Sequence, residues 1–248
     1  MKNLKKLTIA AVLSAFVLPF VNISSAVAGE GYRGLSIGLV GNDMDLLAKG
    51  HEIEGVNSDG GTIGANYAAD DMTGYKEEKS FSFPSAFIEY STGTWLSFTG
   101  GLEYIEGSHA LTKKSRTDSA DANTDGNDSD HGERTAVAEV TDLFTVYLEP
   151  GIMINDYIGF YGKVGGTHMT LDITQTDTVS DAISTYKDRD VWGAVYGGGI
   201  KLRSPWGVFL KVEQLETRFT SMDWQSGNNR VNARTEMSST RFSLGYNF

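Results

Sequence analysis

The sequence predicts an all-β fold, a transmembrane antiparallel up-and-down β-barrel of eight strands that follows a cleaved signal peptide. Three observations predict it. Apolar and polar residues alternate with period two in eight segments, short and long connections alternate between those segments, and the chain begins with an export signal. The chain also contains no cysteine, which excludes a disulfide framework and a thiolate metal site. An exported chain without disulfides must be stabilised by its core or by a closed sheet.

Residues 1–28 have the three parts of a secretory signal peptide. A basic start with three lysines is followed by an apolar stretch from Leu7 to Val21, and Ala26 and Ala28 fit the small-x-small rule for cleavage. The apolar stretch is too short for a typical membrane-spanning helix. Cleavage after Ala28 leaves residues 29–248, which the sequence predicts to be a single β-barrel domain.

The predicted mature chain is strongly acidic. Removal of the signal leaves 18 lysine and arginine residues against 32 aspartate and glutamate residues, a formal charge of −14. A nucleic-acid partner needs a basic face, so this charge argues against one.

The carboxyl terminus shows the alternation most clearly. Its last nine residues read TRFSLGYNF, and apolar side chains occupy one face of a strand to the final position: Phe242, Leu244, Tyr246 and Phe248. Seven further segments have the same period: about 32–41, 81–90, 95–105, 144–154, 158–168, 191–203 and 208–218. The phase changes within 81–90, where Pro84 predicts a bulge.

The connections between these segments fall into two classes. Three are short, at 91–94, 155–156 and about 204–205, and four are long, at about 42–80, 106–137, 170–189 and 219–235. Short and long connections alternate, so all long loops lie at one end of the sheet. Bacterial outer-membrane barrels have this arrangement, whereas a soluble sandwich has no reason for it. Residues 62–67 in the first long loop leave open an added hairpin, which makes ten strands.

Charged residues occupy the face opposite the apolar one. We expect them to point into a polar lumen and to pair across strands, because a soluble sandwich would have to bury them at great cost. The predicted lumen charge network comprises Glu103, Glu149, Lys163, Lys201, Arg203, Lys211, Glu213 and Arg241.

Aromatic residues gather near the strand ends, as membrane girdles require. At the turn end these are Tyr90, Trp95, Tyr157, Trp206 and Phe248, and toward the loops they are Phe81, Tyr104, Trp192 and Phe219.

With these features, residues 29–248 resemble the small eight-stranded outer-membrane barrels of the OmpA/OmpX-like type. The resemblance rests on the signal peptide, the alternation and the terminal Phe242-x-Leu244-x-Tyr246-x-Phe248. It implies that this terminal motif is read by the barrel-assembly machinery, which is then a partner during biogenesis.

An acidic run at residues 121–133, DANTDGNDSDHGE, looks at first like a calcium loop. A helix–loop–helix calcium site needs a bidentate Glu at position 12, but that position is Gly132, and no amphipathic helix flanks the run. A looser calcium site remains open, with the ligands Asp121, Asn123, Asp125 and the Asn127 carbonyl. A solvated loop tip rich in Asp, Asn, Gly and Ser is the favoured interpretation.

His168 and Thr170 share one strand face with Asp172 near the loop end of the fifth strand. Some outer-membrane lipid A hydrolases resemble this in placing His and Ser two residues apart. A hydroxyl nucleophile needs a base and an orienting partner. The sequence assigns no carboxylate on a neighbouring strand, so polar residues at the membrane interface are the favoured interpretation.

A small basic cluster lies in the second long loop. Lys113, Lys114 and Arg116 either contact phosphates of lipopolysaccharide or form a solvated face. The remaining histidines, His51 and His109 among them, lack metal-ligand spacing.

An eight-stranded barrel is just wide enough to be filled by its own side chains. The sequence therefore predicts a monomeric, non-enzymatic outer-membrane barrel with a plugged polar interior and no cofactor other than possible calcium. Its expected partners are outer-membrane lipid, lipopolysaccharide and an unidentified external ligand that the acidic loops bind for surface interaction and adhesion. Two alternatives stay open, a narrow channel for ions or small solutes and a barrel enzyme that modifies lipid A or phospholipid.

Overall fold

Ten β-strands form one antiparallel sheet in the computed structural model, which describes residues 33–53, 72–105, 107–118, 132–177, 188–226 and 229–248. The strands are β1 Gly34–Ile53, β2 Met72–Gly93, β3 Leu96–Ile105, β4 His109–Asp118, β5 Gly132–Met153, β6 Ile158–Asp177, β7 Arg189–Arg203, β8 Val208–Phe219, β9 Met222–Ser226 and β10 Asn229–Asn247. The described residues include no helix that is long and apolar enough to span a membrane.

The ten strands occupy eight positions around a closed barrel. β3 and β4 pair with successive parts of β5, and β8 and β9 pair with successive parts of β10. β1 pairs with β10 and closes the sheet. The eight-stranded barrel is therefore confirmed, and the two additional strands arise from interruptions. The hairpin considered at 62–67 lies outside the described residues.

The register fixes the tilt of the strands. Paired residues can be followed once around the barrel through Ser36, Glu89, Gly101, Tyr147, Gly165, Val195, Thr217, Met237 and Leu46. The circuit starts and ends on β1, ten residues apart. This offset corresponds to strands tilted by roughly 40° from the barrel axis.

Large apolar side chains face outward, the reverse of a soluble sheet. Leu39 is 65 % exposed, Leu148 is 62 % exposed and Phe242 is 60 % exposed. The inward positions that alternate with them are buried, and many of these carry polar or charged groups. A continuous apolar band of this kind needs an apolar surrounding, such as lipid.

Two expectations about the second strand are wrong. β1 and β2 pair without a register shift from Gly34–Ser91 to Ile53–Met72, so Pro84 marks no bulge. Phe83 and Phe87 point inward, where they are 6 % exposed. The apparent change of phase arises because both faces of this strand carry apolar residues.

The expected girdle toward the loops also needs correction. Phe219 is 4 % exposed and belongs to an apolar cluster inside the barrel, against which Phe81 packs. Trp192, by contrast, is 54 % exposed on the outer face. Toward the loop end, the residues that point into the lumen are apolar. The sequence pattern alone does not distinguish them from residues that face lipid.

Strand pairing continues into the segments that the sequence assigns to loops. β1 pairs with β2 as far as Ile53, and β5 pairs with β6 as far as Asp177. Outward positions such as Asp43 and Asp45 are polar there, so the contrast between apolar and polar faces is lost although the backbone pairing persists.

A charged residue on the outward face separates a lipid-facing barrel from a soluble one. We expect Leu148→Arg to lower the free energy of unfolding by about 2–4 kcal/mol in lipid vesicles, because the charge would lie at mid-membrane depth. Urea titration followed by tryptophan fluorescence measures the change. Thr174→Arg, on the exposed upper part of β6, is the matched control. An unchanged midpoint for Leu148→Arg, the usual result at a solvated surface, would contradict the membrane assignment.

Candidate functional site

The middle of the barrel contains a buried cluster of four acids and four bases. They reach the axis because each occupies an inward position of its strand, and none is more than 6 % exposed. The members of this lumen network are Glu89, Glu103, Glu149, Glu213, Lys163, Lys201, Lys211 and Arg241. Its formal charges balance, which an enclosed low-dielectric interior requires.

Lys211 lies at the centre of the lumen network. Its Nζ donates to both carboxylate oxygens of Glu149, each at 2.8 Å, and to Glu89 Oε2 at 2.8 Å. The other oxygen of Glu89 accepts from Lys201 Nζ at 2.9 Å. One ammonium group therefore joins β2, β5 and β8, three strands that are not neighbours in the sheet.

The lumen network continues toward the other wall through Lys163. Its Nζ lies 2.9 Å from Glu149 Oε1 and 2.5 Å from Glu213 Oε1. Arg241 pairs with Glu103 and also lies 3.8 Å, measured from Nε, from Glu213 Oε2. The eight groups thus form one unbroken chain of alternating charge across the barrel.

Neutral side chains donate further hydrogen bonds to two of the four carboxylates. The Tyr147 hydroxyl donates to Glu89 Oε2 at 3.0 Å, and the Ser85 hydroxyl donates to Glu103 Oε1 at 2.5 Å. Asn42 Nδ2 in turn donates to Ser85 Oγ at 2.9 Å. Buried ionic groups are tolerated only when such partners are in place.

Aromatic rings cover the cations from the side. Lys163 Nζ lies 4.1 Å from the centroid of the Tyr147 ring, and Lys201 Nζ lies 4.2 Å from that of Phe209. The quadrupole of each ring attracts the ammonium group.

Seven of the eight predicted lumen residues thus meet in this network. Arg203 is the exception: it is half-buried at the turn end, where Nη2 lies 3.4 Å from Asn247 Oδ1. Glu89 was missed by the sequence reasoning. Its signal was present, since Glu89 shares the phase of Phe83 and Phe87, but the apolar neighbours concealed it.

An apolar layer lies inside the barrel on the loop side of the network. It consists of Met44, Leu46, Phe83, Ile105, Val140, Leu143, Met169, Leu171, Val191, Phe219, Met222, Ala233 and Met237. A void among them, beside Leu46 and Met237, has a volume of about 10 Å³, about the space of one water molecule. The register shift in β5 beside Asp142, whose φ is 50°, leaves both Val140 and Leu143 buried in this layer.

The His168 and Thr170 pair gains a carboxylate from the next strand. Asp190 pairs with Thr170 in the sheet, and Asp190 Oδ1 accepts from the Thr170 hydroxyl at 2.9 Å. His168 Nε2 lies 3.7 Å from the same oxygen, and its ring stacks on Phe144. In a catalytic triad the imidazole stands between hydroxyl and carboxylate. Here the carboxylate contacts the hydroxyl directly, so the order required for nucleophile activation is not formed.

The terminal motif lies on the outward face of β10. Phe242, Leu244, Tyr246 and Phe248 are between 44 % and 60 % exposed, and the last two rings meet edge to face at 5.1 Å. β10 pairs with both β1 and β8, so the motif forms part of the closing seam. Its recognition by assembly machinery stays a prediction.

The remaining candidates lie toward the loops. The backbone of Lys113, Lys114 and Arg116 belongs to β4, opposite β5. The predicted calcium ligands Asp121, Asn123, Asp125 and Asn127 lie outside the described residues. Within the described part of the chain, no group of three His, Asp or Glu side chains is arranged to hold a metal ion.

Loss of the central cation tests the energetic role of the network. We expect Lys211→Met to lower the free energy of unfolding by about 3–5 kcal/mol, because Glu89 and Glu149 would be left without their shared cation. Urea titration in vesicles measures it. Arg203→Met at the turn end is the control and is expected to cost less than about 1 kcal/mol. Equal effects of the two substitutions would contradict a central role for Lys211.

Comparison with known proteins shows the family of this chain. None of the curated proteins matches the sequence. Among solved structures, Ail, the attachment invasion locus protein of Yersinia pestis, is 14 % identical with a TM-score of 0.33, and the match covers 82 % of this chain and 98 % of that chain. The translocator domain of the autotransporter NalP from Neisseria meningitidis is 11 % identical with a TM-score of 0.37, over 100 % and 98 % of the two chains. These likenesses are too distant to bear on function. A family model described as outer membrane protein beta-barrel domain matches residues 13–248, and the chain therefore belongs to the outer membrane protein beta-barrel domain family.

Proposed function

We propose that this protein is a sealed outer-membrane barrel that serves membrane structure and presents an acidic external surface for interaction. The observation that carries the proposal is that two buried layers occupy the lumen, the lumen network and the apolar layer above it. We interpret them as two closures of opposite chemistry in series, so that a hydrated ion would have to pass first an apolar barrier and then fixed ion pairs.

The lumen network supports a plug more than a conduction path. Each ammonium group of Lys163 and Lys211 contacts two carboxylates at 2.9 Å or less. Opening a path would break several charge-assisted hydrogen bonds at once, and these are among the stronger interactions in proteins. The apolar layer above supports the same conclusion, because Met169 and Phe219 are at most 4 % exposed.

The external side provides the surface for interaction. β1, β2 and β5 continue past the apolar band; residues 54–71 connect β1 to β2, and residues 119–131 connect β4 to β5. These two segments together contain eight acidic residues and no lysine or arginine. A partner with a positively charged surface fits this composition, because rim charges steer encounter and select partners.

Single-channel recording tests the seal against the alternative of a narrow channel. We expect the refolded protein to give no steady conductance steps in planar bilayers. As a positive control, Lys211→Ala combined with Phe219→Ala and Met169→Ala removes material from both closures and is expected to produce steps. Steady steps from the unaltered protein would contradict the plug and favour the channel.

Binding to a cationic probe tests the external surface. We expect vesicles that contain the protein to bind fluorescent polylysine, with an affinity that falls as salt screens the charges. Replacing the eight acids of 54–71 and 119–131 by Asn or Gln is expected to reduce binding at least several-fold. A variant with four acids of the upper strands neutralised instead, Asp43, Asp45, Glu78 and Asp172, is the control. Equal binding by all three proteins would contradict a role for the loops.

A further inference from the structure

The apolar band has an outer edge nearest the external loops and an inner edge nearest the turns. On one side of the barrel the outer edge lies farther from the turn end than on the other side. On β5, β6 and β7 it ends in an aromatic cluster formed by Phe144, His168 and Trp192. The His168 ring lies 5.0 Å from that of Phe144 and 4.8 Å from that of Trp192, measured between centroids. Aromatic clusters of this kind mark the level where hydrocarbon gives way to headgroups.

The same edge is low on β8 and β10. The highest outward apolar residue of β10 is Phe242, and above it come Thr240 and Ser238. The outward positions of β8 are apolar as far as Val212 and then become polar at Gln214, Glu216 and Arg218. On β1, Leu39 is followed by Gly41, Asp43 and Asp45.

These polar residues bond to one another on the outer face. Gln214 Nε2 donates to Ser238 Oγ at 3.2 Å, and Gln214 Oε1 accepts from Thr240 Oγ1 at 2.8 Å. Each of the three side chains is exposed or half-buried, and each points away from the lumen. Their hydrogen bonds connect β8 to β10 across the outward surface, whereas Val146 on β5 and Val164 and Gly166 on β6 occupy outward positions without a polar side chain.

The register allows heights to be compared between strands. Height here means distance along the barrel axis from the turn end. Because the offset is ten residues over eight strands, two directly paired residues differ in height by roughly one residue position. With that correction, Gln214 lies about level with Val146, Val164 and Tyr196. Those three are between 37 % and 52 % exposed and belong to the apolar band. Gln214 therefore occupies a depth that is hydrocarbon on the other side.

The charged neighbours extend the same contrast. Glu216 lies about level with Phe144, and Arg218 about level with Trp192. From Trp192 down to Phe242 the outer edge of the band falls by about five positions. At a rise of about 3.3 Å per residue along a tilted strand, this is a drop on the order of 10 Å.

The inner edge of the band does not slope with the outer edge. Aromatic residues lie at each turn and at the terminus: Trp95, Tyr157, Trp206 and Phe248, all more than 50 % exposed. Their heights agree to within about one or two positions after the same correction. A tilted barrel would displace both edges together. The apolar band is therefore a wedge, about 30 Å tall along β5–β7 and much shorter along β8, β10 and β1.

The continuity of the polar surface indicates what meets it. Above Gln214 the outward row continues through Glu216 and Arg218 toward the loop end, and above Thr240 it continues through Ser238 and Glu236. A protein partner would leave a polar island enclosed by apolar residues. This surface instead opens without interruption onto the external side, so it is an extension of the aqueous interface.

We propose that the barrel thins the outer leaflet locally. Lipid headgroups and their water descend along β8, β10 and β1 to the level of Gln214 and Thr240, while the leaflet keeps its full thickness against β5–β7. The ligand chemistry is that of phosphate- or sugar-bearing headgroups, whose donors and acceptors suit the amide of Gln214, the hydroxyl of Thr240 and the charges of Glu216 and Arg218. Charged groups such as those of Glu216 and Arg218 are costly in hydrocarbon, and thinning avoids that cost.

Single-cysteine variants test the wedge, and the natural chain has no cysteine to interfere. Gln214→Cys and Thr240→Cys probe the low side, and Val146→Cys and Val164→Cys probe matched heights on the high side. Each variant carries a nitroxide label in dioleoylphosphatidylcholine vesicles. Electron paramagnetic resonance then compares collisions with oxygen, which enters hydrocarbon, and with a polar nickel chelate. The difference in gel mobility between heated and unheated samples confirms that each variant is folded.

We expect labels at 214 and 240 to collide with the nickel chelate several-fold more often than labels at 146 and 164. A second pair near the inner edge, Val208→Cys and Ile152→Cys, is expected to report equal depth. Equal accessibility at all four upper positions would overturn the proposal. A depth difference in the inner pair would indicate tilt instead of a wedge and would also overturn it. So would dipolar broadening between labels at 214 on separate copies, because a second barrel would then cover the surface.

Replacing the polar outward residues of β8 and β10 by leucine gives an independent readout. We expect Gln214→Leu combined with Glu216→Leu and Thr240→Leu to shift the bilayer in which the barrel is most stable toward longer acyl chains. Urea midpoints in phosphatidylcholine vesicles with chains of 12 to 18 carbons measure this preference. An unchanged preference in a folded variant would contradict local thinning.

Discussion

The fold depends on the contact between the ammonium group of Lys211 and the carboxylates of Glu89 and Glu149. An eight-stranded barrel with a ten-residue offset is narrow enough for side chains from opposite walls to meet. Lys211 uses that width to connect β8 with β2 and β5, and Lys163 and Arg241 extend the connection to β6, β10 and β3. The strands are thus fixed to one another through the lumen as well as through the backbone ladder. Such a network requires both precise geometry and equal numbers of opposite charges, because the loss of any one partner leaves a buried charge uncompensated.

Chemistry changes in layers along the barrel axis. The turn end has hydroxyl and amide groups, as in the contact of Asn247 Nδ2 with Ser36 Oγ at 3.0 Å. The ion pairs come next, and the apolar layer of Met169, Phe219 and their neighbours lies above them. Each charged group of the network is at most 6 % exposed, and electrostatic interactions are stronger in such a low-dielectric interior than in water.

The period-two pattern was sufficient to locate the strands and to place Glu149, Lys211 and Arg241 on the inward face. It works because lipid outside and polar groups inside give every strand two chemically different sides. The pattern failed where that difference vanishes. Phe83 and Phe87 put apolar groups on the lumen side and concealed Glu89, and Asp43 put a polar group on the outer side of a strand that continues.

Other features require three-dimensional information. Asp190 meets Thr170 only because β6 and β7 pair in one register, and a sequence of alternating faces does not fix registers between strands. The same holds for the partners within the lumen network, which lie up to 138 residues apart in the chain. The wedge of the apolar band also depends on register, because heights on different strands have no common scale until the offset is known.

The seam between β1 and β10 gives the molecule an all-or-none character during its biogenesis. It joins the first strand to the last one, with pairs from Ser36–Asn247 to Ile53–Arg230. Until the last strand has been made, β1 presents a row of unpaired backbone groups that hydrocarbon does not accept. A chain that stops short of residue 229 lacks β10, so the free edge of β1 would have no strand to pair with in the bilayer. Closure of the barrel therefore depends on β10, the last of its strands to be synthesised.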